Sequence, residues 1–224
     1  ICEQVEDPKS AKGLVKRDVI RVVTPGTLIE AGLLTECNNN YICCAYISEA
    51  SSGLATADVS TGELYVTFFD GTDHLEKLYD EMCVYAPREA IFNKTKNEIH
   101  FVINGLTTRF TTYVCDSMEE MFDDITCRGI IEKKFSHDPS VDDILSRNVL
   151  LRSLGGLVLY LMDVNKTDPA SIRHINLSRN DQFLEMDISA RRSLELCAGM
   201  HTGDKKGSLL SVITDKPNER QALS

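Results

Sequence analysis

Tyr41-Ile-Cys-Cys-Ala-Tyr-Ile47, Gly53-Leu-Ala-Thr-Ala-Asp-Val-Ser60 and Glu63-Leu-Tyr-Val-Thr-Phe-Phe69 decide the fold of this sequence. Each run is short and mostly apolar, which is the pattern of β-strands. Ser60-Thr61-Gly62 reads as a hairpin turn, so the second and third runs should be antiparallel neighbours. Asn38-Asn39-Asn40 has turn preference and marks where this folding unit begins.

Beyond the strands the period changes. Leu75, Leu78, Tyr79 and Met82 share a face at helical spacing and predict a helix over 72–84. After Pro87, Glu89–Phe92 reads as a short strand. The stretch 94–114 reads as a small helix or loop, followed by a strand near Arg109–Val114. Ser117-Met-Glu-Glu120 forms a capping box that opens a helix running to Phe135, with Met118, Phe122 and Ile125 on one face. Gly129 weakens the middle of that helix by about 1 kcal/mol relative to alanine. Pro139 interrupts, and a long helix follows over 141–163, with Leu150, Leu154, Leu157, Val158 and Leu161 as its buried stripe. Two glycines inside it, Gly155-Gly156, predict a close backbone approach to a neighbour. Strands, a helix, another strand and further helices make one α/β domain.

The flanks read as pieces of other units. Val19–Val23 is a short β-type run ended by the turn Thr24-Pro25-Gly26-Thr27. Beyond the polar stretch Asn165–Ser171 lie a strand-like piece, Ile172–Leu177, and a helix from Asp187 to Leu196. The expected division is residues 1–36, residues 37–166 as the α/β domain, and residues 167–224. Opening on Ile1-Cys2-Glu3-Gln4, with no start methionine and no apolar leader, the chain is expected to be part of a longer, cytoplasmic one.

Composition narrows the function. With 224 residues, 42% hydrophobic and 26% charged, the chain is not a mostly disordered one. Its longest apolar-leaning stretch, Val149–Met162, is broken by Arg152, Ser153, Gly155 and Gly156, well short of the ~20 residues a bilayer needs. The eight cysteines include no Cys-x-x-Cys pair, so they are expected to be small apolar core residues rather than zinc ligands. Residues 37–166 hold 11 basic and 20 acidic groups, a net charge of −9. Such a segment is repelled by nucleic acid at long range. In the first 36 residues Lys12, Lys16 and Arg17 stand before the β-type run, and two readings stay open there: contacts to DNA phosphates, or a solvated strand flank whose charge is cancelled by nearby acids.

Catalytic patterns are missing. No Gly-x-x-x-x-Gly-Lys-Ser/Thr and no Gly-x-Gly-x-x-Gly occurs. Strands followed by helices suggest a ribonuclease-H-like layout, on which nucleases use a carboxylate of the first, central strand to hold metal ions. Here that strand has no acid. Asp58, on the second strand, reads better as a cap for the turn that follows. Cys43-Cys44 sits on an apolar strand, where a thiol is held neutral. The five histidines show no pairing pattern.

Three collinear passages carry a resemblance. They are Ile1-Cys-Glu-Gln-Val-Glu-Asp-Pro to Arg21-Val-Val-Thr-Pro-Gly-Thr27; Asn39-Asn-Tyr41 with Gly53-Leu-Ala-Thr-Ala-Asp-Val-Ser-Thr-Gly-Glu63; and Leu154-Gly-Gly-Leu-Val-Leu-Tyr-Leu161 with Leu184-Glu-Met-Asp187 to Leu196 and Gly207-Ser-Leu-Leu210. Together they resemble the bacterial MutS family of DNA mismatch repair. The resemblance implies that residues 1–36 end a mismatch-recognition domain, that 37–166 are a ribonuclease-H-like connector, and that 167–224 begin a helical core. It further implies a connector without catalysis that joins DNA-clamping to ATPase domains and docks MutL near the helix 117–135. No motif fixes the contact there, and the charged residues Arg128, Glu132 and Lys133 read either as that surface or as solvated helix charges. Mismatched duplex DNA, a homodimer, ATP and magnesium belong to the intact family. Its mismatch-reading Phe-x-Glu motif is expected upstream of Ile1 and its Walker loop far downstream of this region, so no catalytic, cofactor or metal residue carries over. After Leu210 the sequence departs from the family pattern. The competing expectations are a metal-dependent nuclease on the same fold and a stand-alone truncated interaction protein.

Overall fold

The computed structural model describes residues 2–4, 17–19, 22–27, 40–95, 97–115, 119–165 and 172–178, with isolated positions 190, 193–195 and 209. Residues 1–181 and 182–224 form two units, and nearly all the described structure lies in the first.

The three decisive runs are β3 (Tyr41–Ile47), β4 (Ser51–Asp58) and β5 (Glu63–Asp70), with β1 (Cys2–Gln4) and β2 (Arg17–Val19) paired antiparallel before them. β3 pairs antiparallel with β4, and β4 with β5, with Asp58 opposite Glu63 across the Ser60-Thr61-Gly62 turn. Gly62 has φ +80°, a conformation costly to residues with a Cβ. Beyond β3 on its other side lie β6 (Glu89–Phe92) and β7 (Tyr113–Val114), both parallel; β8 (Asn176–Leu177) closes the far edge, parallel to β5. The order is β7-β6-β3-β4-β5-β8, a mixed sheet with β3 inside it. The strand-like piece 172–177 thus supplies an edge of this sheet.

Each face of the sheet has its own helices. Cys43, Ala45 and Ile47 point to one side, onto α1 (His74–Tyr85) and α2 (His100–Phe110), where Leu78, Met82, Val102 and Leu106 are buried. Ile42 and Cys44 point to the other, under α3 (Asp124–Lys134), α4 (Val141–Ser146) and α5 (Asn148–Asn165). With both faces covered, β3 has to be apolar throughout, and it is. The expected stripe of α5, Leu150, Leu154, Leu157, Val158 and Leu161, is at most 1% exposed. A Cβ on Gly155 would stand 2.5 Å from Cys127 Sγ and 2.8 Å from Cys127 Cα, and one on Gly156 2.9 Å from Phe122 Cε1. The glycine pair is where α3 and the turn before it lie against α5.

Several expected elements are cut differently. The helix expected over 117–135 is a 3-10 turn, Glu119–Phe122, followed by α3. Asp123 divides them: its extended backbone leaves the helix, and its carboxylate accepts the Thr126 N–H at 2.9 Å, capping a new one. The turn rotates Ile125 outward, 81% exposed, so it does not share a buried face with Phe122; Ser117 and Met118 lie outside the described residues. The helix expected over 141–163 is α4 and α5, separated by extended Arg147. The ambiguous stretch 94–114 contains α2. Among the described residues of the run Val19–Val23, Val19 is paired in β2, while Val22 and Val23 are exposed and lead into a 3-10 turn, Pro25–Thr27. Asp187 and Leu196, the bounds of the last expected helix, lie outside the described residues.

Candidate functional site

Two buried carboxylates stand at the ends of the central strands, and each is occupied. Asp58, 1% exposed, accepts from Ser60 N–H at 2.8 Å and Ser60 Oγ at 2.5 Å through one oxygen, and from Asn40 N–H at 3.1 Å through the other. This is the turn cap expected from sequence, extended to the residue before β3.

Glu89, wholly buried on β6, gathers three donors from three elements. Oε2 accepts the Gly26 N–H at 2.9 Å, and Oε1 accepts from Cys115 Sγ at 2.9 Å and from the Tyr160 hydroxyl of α5. Burial raises the Tyr160 pKa, and its hydrogen bonds to Cys115 and Glu89 raise it further. Asn40 completes the grip on the 24–27 turn by donating from Nδ2 to the carbonyls of Pro25 at 3.1 Å and Gly26 at 2.9 Å. The sequence reading placed Glu89 on a strand without assigning it a task. Its signal was an acid opening the apolar run Glu89-Ala-Ile-Phe92, since a charged residue in a buried strand requires partners.

A cleft of about 1140 Å³ opens where β3, β6 and β7 end, lined by Tyr46, Asn93, Lys94, Glu119, Asp123 and Arg152 among others. Open α/β sheets commonly bind ligands at this end. Here several of the polar side chains are engaged within the protein. Asn93 accepts the Ile47 N–H at 2.7 Å and donates to the Ile47 carbonyl at 3.0 Å. Lys94 lies 3.7 Å from Glu98, and Arg152 donates to the Tyr46 hydroxyl at 3.2 Å while its guanidinium lies 5.1 Å from the Tyr46 ring centroid. Hydrogen bonds from Thr126 lower the Asp123 pKa.

Nucleophiles are poorly placed. Burial raises the Cys43 and Cys127 thiols to about 12 and Cys44 well above its ordinary value, opposite to the activation a reactive thiol needs. Among the described residues no group of three His, Cys, Asp or Glu side chains could hold a metal ion, and no helix is long and apolar enough to cross a membrane.

Of the candidates named from sequence, Lys12 and Lys16 lie outside the described residues, and Arg17 is described only as the first residue of β2. Arg128 is half-buried on α3, where it donates to the Leu145 carbonyl at 3.3 Å and lies 3.9 Å from Asp124. It ties α3 to α4. Glu132 and Lys133 are exposed one turn further on.

The MutS domain II family model matches residues 40–176, which are β3 through β8, and the MutS domain I model matches residues 1–32. The chain belongs to the MutS family. It is 37% identical over 213 residues to the DNA mismatch repair protein MutS of Ruminiclostridium cellulolyticum and 34% identical over 216 residues to that of Caldanaerobacter subterraneus. Each alignment covers 95% of this chain and 24% of the relative, so the chain spans about a quarter of the length of these MutS relatives. The domain I match includes residues 24–27, yet those residues pack on the sheet of the domain II match.

Proposed function

We propose that this chain serves DNA mismatch repair as the connector-bearing portion of a MutS protein and performs no chemistry itself. The observation that carries this is the collinear match to domains I and II, joined to a central strand without acids and an Asp58 consumed by its turn. A two-metal nuclease needs carboxylates free to hold ions. The sheet order, three antiparallel strands extended on the β3 side by two parallel ones, supports a ribonuclease-H-like connector. On this reading mismatched duplex DNA, homodimer contacts, ATP and magnesium are handled by other parts of a MutS protein, in the cytoplasm. Lys12, Lys16 and Arg17 would meet DNA phosphates, and the domain with a net charge of −9 keeps clear of the duplex.

The same reading gives the domain a docking role toward MutL, through the exposed end of α3 at Glu132 and Lys133, with Arg128 holding that helix to α4. Titrating the 224-residue chain with MutL and following backbone amide resonances tests it. The expected result is shifts concentrated on α3, lost in a Glu132→Lys, Lys133→Glu double variant that stays folded. Absence of shifts at high MutL concentration would remove the docking role. Cleavage of labelled DNA or RNA in Mg²⁺ or Mn²⁺, abolished by Asp58→Ala, would overturn the non-catalytic reading.

A further inference from the structure

The last described residues of the domain I match, 22–27, form a join that packs directly on the sheet of the domain II match. Thr27 is 0% exposed. A Cβ on Gly26 would stand 2.7 Å from Glu89 Oε2 and collide with Ile42, so only glycine lets the turn come this close. Immediately before it, Val22 N–H donates to the Val164 carbonyl at the end of α5, at 2.9 Å. The carboxylate that holds the turn is also fixed from two other sides, by Tyr160 of α5 and by Cys115 just past β7. A buried carboxylate is costly unless its oxygens are satisfied, and here one oxygen is satisfied by the join alone.

We propose that Glu89 is a latch that makes residues 22–27 ride rigidly on the sheet, so that movement of the preceding segment passes into β6 and α5 instead of being absorbed at the join. The latch rests on the connector reading for its purpose and on the geometry around Glu89 for its existence. A covalent tether alone would let the two domains reorient freely. A tether whose backbone is held at Gly26 by a buried carboxylate and at Val22 by the end of a helix transmits orientation. Rigid elements with few discrete arrangements are what carry coupling between distant sites.

Amide hydrogen exchange on the full 224-residue chain tests the latch from both sides. Glu89→Leu removes the acceptor, and Gly26→Ala pushes the turn off Glu89 and Ile42 while the carboxylate is retained. In both variants the amides of Val22, Gly26 and Thr27 should exchange at least about tenfold faster, the factor expected on losing a charge-assisted hydrogen bond. Amides of β3 and β4 should keep their protection to within about twofold. Unchanged exchange at 22–27 in either variant overturns the latch. So does equal acceleration of turn and sheet, which would make Glu89 a core residue of the whole domain. Should Glu89→Leu fail to fold, Gly26→Ala decides by the same two criteria. The MutL titration does not involve the latch, so failure of one leaves the other standing.

Discussion

The two faces of the sheet are packed by different rules. Under α5, two glycines let Cys127 and Phe122 touch the helix backbone, and the stripe from Leu150 to Leu161 is closed to solvent. Over α1 and α2 the contacts are made by long side chains. Gly105 lies under the Tyr79 ring, Phe101 is 63% exposed, and Val84 is 45% exposed. A face built on backbone contact cannot yield when a side chain changes, whereas a face built on side-chain ends can. The α5 face is therefore the rigid frame, and it is also the face to which the latch at Glu89 is anchored through Tyr160.

Thiol reactivity should separate the faces most widely. Cys127 is buried between α3 and α5, and burial raises its pKa to about 12. Cys83, on α1, is only partly buried, with its pKa also raised, mainly by burial. In native protein at pH 8 an alkylating reagent should modify Cys83 faster than Cys127 by on the order of a hundredfold or more, because Cys127 reacts only through opening. Denaturant should erase the ratio. Equal native rates would mean that α3 opens as readily as α1. The same shifts have a pH consequence. From the ordinary thiol value of 9.0 up to about 12, the unfolded chain releases protons that Cys43 and Cys127 keep when folded. Stability is thus complete below pH 9 and should fall as pH rises through that window, which alkaline unfolding curves would check.

Truncation gives the next largest contrast. Leu154→Ala on the rigid face and Leu106→Ala on the softer one both empty a fully buried site. Both should fall within the ~2–5 kcal/mol range of such changes, with Leu154→Ala near the top because glycine-tight packing cannot collapse, and Leu106→Ala near the bottom. Urea unfolding of both variants measures the difference, and the reverse order would break the comparison.

A pair of glycines sharpens the point with opposite signs. Gly155→Ala must displace the Cys127 backbone, so it should cost about 1–3 kcal/mol despite the helix propensity gained. Gly129→Ala, with nothing within 4 Å of the added Cβ, should stabilise by about 1 kcal/mol. Thermal melts of the two variants should move in opposite directions.

Much of this architecture is legible in the amino-acid order, and the exceptions have physical reasons. The three central strands, the antiparallel pairing of the second and third, the cap role of Asp58, the buried stripe of α5 and the close approach at Gly155-Gly156 all follow from local patterns. Helix breaks at Asp123 and Arg147 are not legible because apolar periodicity continues across them; the extended backbone of Asp123 and its capping hydrogen bond to Thr126 mark the first. The turn that leads into α2 carries a local signal. In Thr95-x-x-Glu98 the Glu98 carboxylate accepts the Thr95 N–H at 2.9 Å, and that hydrogen bond lowers its pKa. At Glu89 the need for partners is legible but their identity is not, since Gly26, Cys115 and Tyr160 are up to 71 residues away in sequence, and no local pattern brings them together.

The smallest effect belongs to the most conspicuous apolar side chain on the softer face. Phe101 rests its ring 5.1 Å from that of Tyr79, at a tilt, and is otherwise largely in water. Replacing it with serine removes one exposed aromatic contact and leaves no buried cavity. Phe101→Ser should therefore change stability by no more than about 0.5 kcal/mol. A loss several times larger, read from urea unfolding at fixed protein concentration, would mean that Phe101 is covered in solution and that this face is not the yielding one. A loss that shrinks on dilution would identify the cover as a second molecule.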